Sequence, residues 1–175
     1  MIILALDLGR RLGWALGESA IGLRSGYAVL GRAGMPLDDM LGNLLRWLQA
    51  QFEEAEPNLL VKEAPLSLAA FQRLGTGEDA VRAAYAQHGV VEATCNHWGV
   101  RCVDVNVLVA TKHFTGKASW GGRQERKRAI IARCHALGYL KRDATTDDNE
   151  SDALAVWDWA QATIARKPPQ ELILF

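Results

Sequence analysis

The sequence predicts an α/β fold, a mixed five-stranded sheet flanked by helices, in which three antiparallel strands precede parallel ones. Short apolar runs bounded by glycine, proline or asparagine recur through the first 105 residues and read as strands. Longer stretches with apolar residues at helical spacing lie between and after them. The resulting order is three strands, helix, strand, helix, strand, helices, which suits one sheet covered on its faces. A length of 175 residues with 49% hydrophobic and 23% charged content is enough for one globular domain with a real core.

The run "MIILALDLG" is a buried strand ending at Asp7, with Gly9 in a turn. "GWALGE" and "LRSGYAVLG" are the next two strands, and the glycines between them indicate an antiparallel meander. Pro36 opens a helix with Leu37, Met40, Leu41, Leu44, Leu45, Leu48 and Phe52 on one face. Pro57 and Asn58 end it. "NLLVKEAP" is the fourth strand, with Glu63 at its end and Pro65 as its stop. A helix is expected from about Gly77 to His97, a last strand in "GVRCVDV", and a short helix over Asn106–Phe114. "TGKASWGG" reads as a loop and "RQERKRAIIARCHALG" as a basic helix stopped by Gly138. The final helix is expected from Asp148 to about Arg166, where Pro168 and Pro169 follow. The domain is drawn as residues 1–167, with a tail at 168–175.

No apolar run reaches 18 residues, so no membrane-spanning helix is expected. "MIILAL" is too short for a signal peptide and meets Asp7 at once. Three cysteines, Cys95, Cys102 and Cys134, without a secretion signal suggest reduced thiols and a cytoplasmic location. The formal charge is zero, yet Thr111–Arg142 carries nine basic residues against Glu125 alone. Such a segment suits a polyanion, or is an ordinary solvated helix face.

The acids are placed unusually. Asp7 ends a run of six apolar residues, and Glu63 ends another buried strand. An acid there is costly unless something pairs with it, and a hard cation such as Mg²⁺ prefers carboxylate oxygens. The stretch "TTDDNESDALAVWDWA" then places Asp148 and Asp152 on one helix face, at i and i+4. Two such acids repel each other unless a cation lies between them. Capping explains Asp148 as well, and dipole compensation explains Asp147 and Glu150. Neither explains Asp152, which faces other protein one turn inside the helix.

In "LALDLGRRLGWAL", "LLVKEAP", "GKASWGGRQERKRAII" and "DDNESDALA" the chain resembles the RuvC family of Holliday junction resolvases, in the RNase H-like superfamily. Order and spacing agree over nearly the whole length, and the resemblance is nearest to divergent phage or prophage members. It implies an RNase H-like fold. It implies that Asp7 bridges two metal ions, that Glu63 and Asp152 complete the set, and that Lys127 lies near the scissile phosphate. The family carries an acid or histidine three residues before the last aspartate, where this chain has Asn149; either Asn149 offers its carbonyl oxygen or Asp148 supplies the charge, and Asp148 is preferred. The family also has an aromatic wedge three residues after the glutamate. Leu66 stands there, so Phe71 either takes over that work or belongs to the core.

The resemblance further implies a homodimer in a bacterial or phage-infected cytoplasm. It would resolve four-way junctions by two-metal hydrolysis, with Mg²⁺ or Mn²⁺, leaving 5′-phosphate ends. Lys112, Lys117, Arg123, Arg126 and Arg128 would grip the DNA backbone, and Trp120 would stack on a base. Lys127 serves equally as an ordinary phosphate contact. A nuclease for RNA or flaps, or a catalytically weak junction-binding protein, are the alternatives. The spacing of Cys95, His97 and Cys102 matches no zinc module. Trp14, Trp47, Trp157 and Trp159 read as core or dimer contacts. The tail Gln170–Phe175, "QELILF", resembles the peptides that dock on the bacterial sliding clamp; otherwise it packs on the dimer or a sheet edge.

Overall fold

The structure is a computed structural model that describes residues 1–141 and 147–165. The tail, with the clamp-like stretch Gln170–Phe175, lies outside the described residues. In chain order the elements are β1 (Ile3–Asp7), β2 (Arg11–Gly17), β3 (Arg24–Val29), α1 (Leu37–Ala55), β4 (Leu59–Glu63), α2 (Leu68–Arg73), α3 (Glu78–Trp98), β5 (Arg101–Val105), α4 (Val107–Thr115), α5 (Arg123–Ala136) and α6 (Asp148–Ala160). No helix among the described residues is long and apolar enough to cross a membrane.

The sheet order is β3-β2-β1-β4-β5. β2 pairs antiparallel with β1 and β3, while β1–β4 and β4–β5 are parallel, as the sequence predicted. Alternation along each strand divides two cores. Leu4, Leu6, Leu12, Leu16 and Leu60 face α1 and α3, meeting Met40, Leu44, Leu48, Phe52 and Val91. Ile3, Ala5, Ala15, Leu59 and Val61 face the other side, under α6 with α4 and α5. Each fully buried leucine contributes about 2 kcal/mol of transfer free energy.

The same alternation sorts the polar residues. Asp7 continues the Ile3–Ala5 face and Glu63 the Leu59–Val61 face, so both turn toward α6. Lys62 continues the Leu60 face and points to α3. β1 and β4 run in register from Ile3↔Leu59 to Leu6↔Lys62, which brings the next residues, Asp7 and Glu63, to adjacent strand ends.

α6 is the most enclosed helix: every residue from Ser151 to Trp157 is buried. Gly13, the antiparallel partner of Asp7, lets it come close, since a β-carbon there would lie 1.9 Å from the carbonyl oxygen of Asn149. The cap of α6 is Asp147, whose carboxylate accepts from the Asn149 N–H at 2.9 Å. Asp148 is therefore the first helical residue and not the cap. Glu150 accepts a hydrogen bond from the Ser25 hydroxyl at 2.7 Å, tying the helix start to β3. The α-helix passes at Ala160 into a π-helical turn over Gln161–Ala165, so helical structure runs to within one residue of the expected end.

Two other expectations change. The segment after Pro65 holds the short helix α2, capped by Ser67, where no helix was expected. Phe71 on α2, offered by the sequence as a DNA wedge, is only 9% exposed and packs edge-on against Tyr85 at 5.9 Å. Of the two roles left open for it, a wedge or part of the core, this burial favours the second.

Candidate active site

Three carboxylates converge at the upper end of the sheet. Asp7 and Glu63 end neighbouring strands, and Asp152 comes down from the second turn of α6, 8% exposed. The repulsion registers in the protonation of Asp7 and Glu63. Burial, then the charges of Glu63 and Asp152, raise the Asp7 carboxyl well above its ordinary range. Burial and Asp152 push Glu63 up to about 7. Lys127 and Arg126 pull both back, but less strongly.

Lys127 sits on α5, 3% exposed. Its ammonium donates to Asp152 Oδ2 at 2.9 Å and lies 3.4 Å from Asp148 Oδ2. The i, i+4 acids of α6 thus share one cation, and it is a lysine side chain. Asp148 is half exposed and is not among the charges acting on Asp7 or Glu63. Asn149 turns its amide back onto Asp147 Oδ1 at 2.8 Å, away from this pairing. Of the two residues considered for the fourth position, Asp148 is the one that faces Lys127.

The basic residues divide by depth. Arg126 is partly buried and acts electrostatically on Asp7 and Glu63. Lys112, Arg123 and Arg128 are exposed on α4 and α5. Lys117 pairs with Glu125 at 2.9 Å and rests over the Trp120 ring, 4.6 Å from its centroid. Trp120 Nε1 is buried without a partner among the described residues.

A second cluster was not foreseen. Lys62, fully buried beside Glu63 but on the opposite face, donates to Glu92 Oε1 at 2.9 Å, approaches His88 Nδ1 at 3.0 Å and bonds the Asp104 carboxylate. His88, Glu92 and Asp104 are the one trio of His, Cys, Asp or Glu, among the described residues, whose ligand atoms all lie within 4.8 Å of one another. The Lys62 ammonium already bonds all three. Their partners come from α3 and β5, so no local motif announces them. The one signal was a lysine at an inward strand position. Cys95, Cys102 and Cys134 are free thiols. Burial pushes the Cys134 thiol up to about 12.

Neither protein-family models nor curated protein sequences contain a match to this chain. Solved structures do match in fold. Thermus thermophilus RuvC in complex with a Holliday junction substrate superposes with a TM-score of 0.64 at 14% identity, covering 89% of this chain and 90% of that one. A further Thermus thermophilus RuvC structure gives 0.64 at 15% identity, with the same coverages. The yeast mitochondrial Holliday junction resolvase Ydc2 gives 0.60 at 9% identity, covering 88% of this chain and 75% of that one. The fold is thus of the RNase H-like class, a mixed five-stranded sheet with helices on both faces. Its arrangement is similar to that of these RuvC structures.

Proposed function

We propose that the chain is a metal-dependent, structure-selective endonuclease that resolves four-way DNA junctions by phosphodiester hydrolysis, leaving 5′-phosphate ends. The observation that carries this reading is the convergence of Asp7, Glu63 and Asp152, whose charges oppose one another. Hard oxygen donors in a partly buried, net-negative centre fit Mg²⁺ or Mn²⁺. When bound, such ions would lower the pKa of a water and stabilise the attacking and leaving oxygens. Asp7, Glu63 and Asp152 would hold them, with the half-exposed Asp148 as a further donor.

The chain supplies the rest. Lys127 brings a fixed positive charge to the rim, where charge builds on the phosphate in the transition state. Arg126 adds a second one. Lys112, Arg123 and Arg128 bind backbone phosphates without reading sequence, and Lys117 and Trp120 form one loop surface beside them. Two cuts per junction require two active sites, so the working form is a homodimer, in the cytoplasm of a bacterium or of a phage-infected host. The stretch Gln170–Phe175 would dock on a sliding clamp, and deleting it should abolish clamp binding.

The direct test is incubation with a synthetic four-way junction, with and without Mg²⁺, beside flap, duplex and RNA-hybrid substrates. Metal-dependent cutting confined to the junction, and lost in Asp7→Asn, is the expected result. Preferential cutting of the flap or hybrid would refute the junction assignment.

A further inference from the structure

A cleft of about 240 Å³ opens beside Asp7 and Glu63, between the end of β4, α2 and α3. Pro65, Leu66, Phe71 and Ala84 give it apolar walls, and His88 gives it a polar one. Its size suits one planar heterocycle and little more. The orientation of His88 follows from Lys62. An ammonium can only donate, so His88 Nδ1, 3.0 Å from Lys62 Nζ, must accept. The imidazole then carries its proton on Nε2. Burial and the Lys62 charge favour this neutral form, against the weaker opposing pull of Asp104 and Glu92. Nε2 has no hydrogen-bond partner among the described residues, yet it is not among the sealed, unpaired atoms, so it is open to the cleft or to water.

We propose that this cleft receives a nucleobase flanking the scissile phosphate, and that His88 Nε2–H selects among bases by donating to an acceptor on the base edge. This rests on the nuclease reading, since the cleft has Asp7 and Glu63 on its rim. A base leaves its stack at less cost in an already opened branch, and regains contact between apolar walls. One donor at a fixed place distinguishes a base that offers an acceptor there from one that does not. Lys62 acts as a positioning residue, because it fixes which ring nitrogen of His88 carries the proton. His88→Asn preserves the pattern, with one oxygen to accept and one NH₂ to donate.

The test uses full-length protein and junctions carrying 2-aminopurine, a fluorescent adenine analogue, at each position around the mapped cut. In Ca²⁺ buffer, fluorescence should rise several-fold at one flanking position and not in Ala84→Phe, which fills the cleft. In Mg²⁺, an abasic site at that position should slow cutting about tenfold or more. The rate ratio between the best and worst base there should fall below about 2 in His88→Ala and recover in His88→Asn. A ratio is unaffected by a general loss of active protein, so misfolding cannot imitate this outcome. If wild-type protein leaves the junction uncut in Mg²⁺ and Mn²⁺, the nuclease reading fails, while the fluorescence arm still reports base entry. If it cuts but no position brightens, or His88→Ala keeps the full preference, the cleft assignment alone is overturned.

Discussion

Gly13 and Asn149 meet so closely that the backbone of α6 occupies the space where a β-carbon on β2 would stand, 1.9 Å from the Asn149 carbonyl oxygen. Because Gly13 pairs with Asp7 across β1–β2, this contact sets how near Asp152 comes to Asp7. Gly13→Ala must push the start of α6 away. Overpacking of this kind costs about 1–3 kcal/mol. A misplacement on the order of 1 Å at the carboxylates lowers cutting about 100-fold. Thermal unfolding with a junction-cleavage assay checks both, and an unchanged rate would remove this contact from the argument.

Asp7→Asn should stabilise the metal-free protein while ending catalysis. The carboxyl is held well above its ordinary range by burial and by Glu63 and Asp152, so a neutral isostere removes strain. A gain of order 1 kcal/mol, or about 2–4 °C in Tm, is expected near pH 8. Calorimetric titration should show loss of Mn²⁺ binding, with junction affinity kept.

Stability of the metal-free protein should fall as pH rises from about 5 to 8. Glu63 keeps its proton to about 7 in the fold, against an ordinary value of 4.5, so the folded state binds more protons through that window. A raised carboxyl leaves stability whole below the lower value and reduced above the higher one, by up to about 3 kcal/mol. Asp7 adds in the same direction. A divalent cation should reverse the loss, by about 2.7 kcal/mol at a hundredfold excess over Kd. A metal-free Tm that climbs over this range would contradict the arrangement.

Lys127 and Asp152 should show strong non-additivity. Lys127→Met leaves Asp152 buried without its partner at 2.9 Å, a loss of about 3–5 kcal/mol. Adding Asp152→Asn should recover much of that, because the uncompensated charge is gone. A double-mutant cycle by urea unfolding measures the coupling, and additive effects would mean that the pair carries none.

Arg123→Gln and Arg128→Gln should each weaken junction binding to a similar degree on all sequences. Each should also reduce the slope of log K against log salt by about 1. Fluorescence anisotropy between 50 and 200 mM salt is the measurement. Sequence-dependent losses would place these arginines on base edges instead.

Much of this could be read from the chain itself. Period-two alternation in "ILALD" and "LLVKE" puts Asp7 and Glu63 on one face, and i, i+4 spacing puts Asp148 and Asp152 together. α2 was missed because six residues are too few to show helical periodicity. The His88–Glu92–Asp104 cluster was missed because only the folded sheet brings β5 and α3 to Lys62. The opposite fates of Lys62 and Glu63, adjacent in sequence and on opposite faces, follow from the pleat alone. What fills each face depends on tertiary packing. Phe71 shows the same limit, since exposure is not written in the chain.

The register of β1 with β4 has a practical result. Parallel neighbours are held about 4.8 Å apart by peptide hydrogen bonds, so the span between the first two acids is inherited from the main chain itself. Wholesale replacement of the leucines beneath would leave that ruler unchanged. A redesign that aims to accept a larger ion has to move the third acid, on the helix, because the two on the strands cannot be spread without unzipping the sheet.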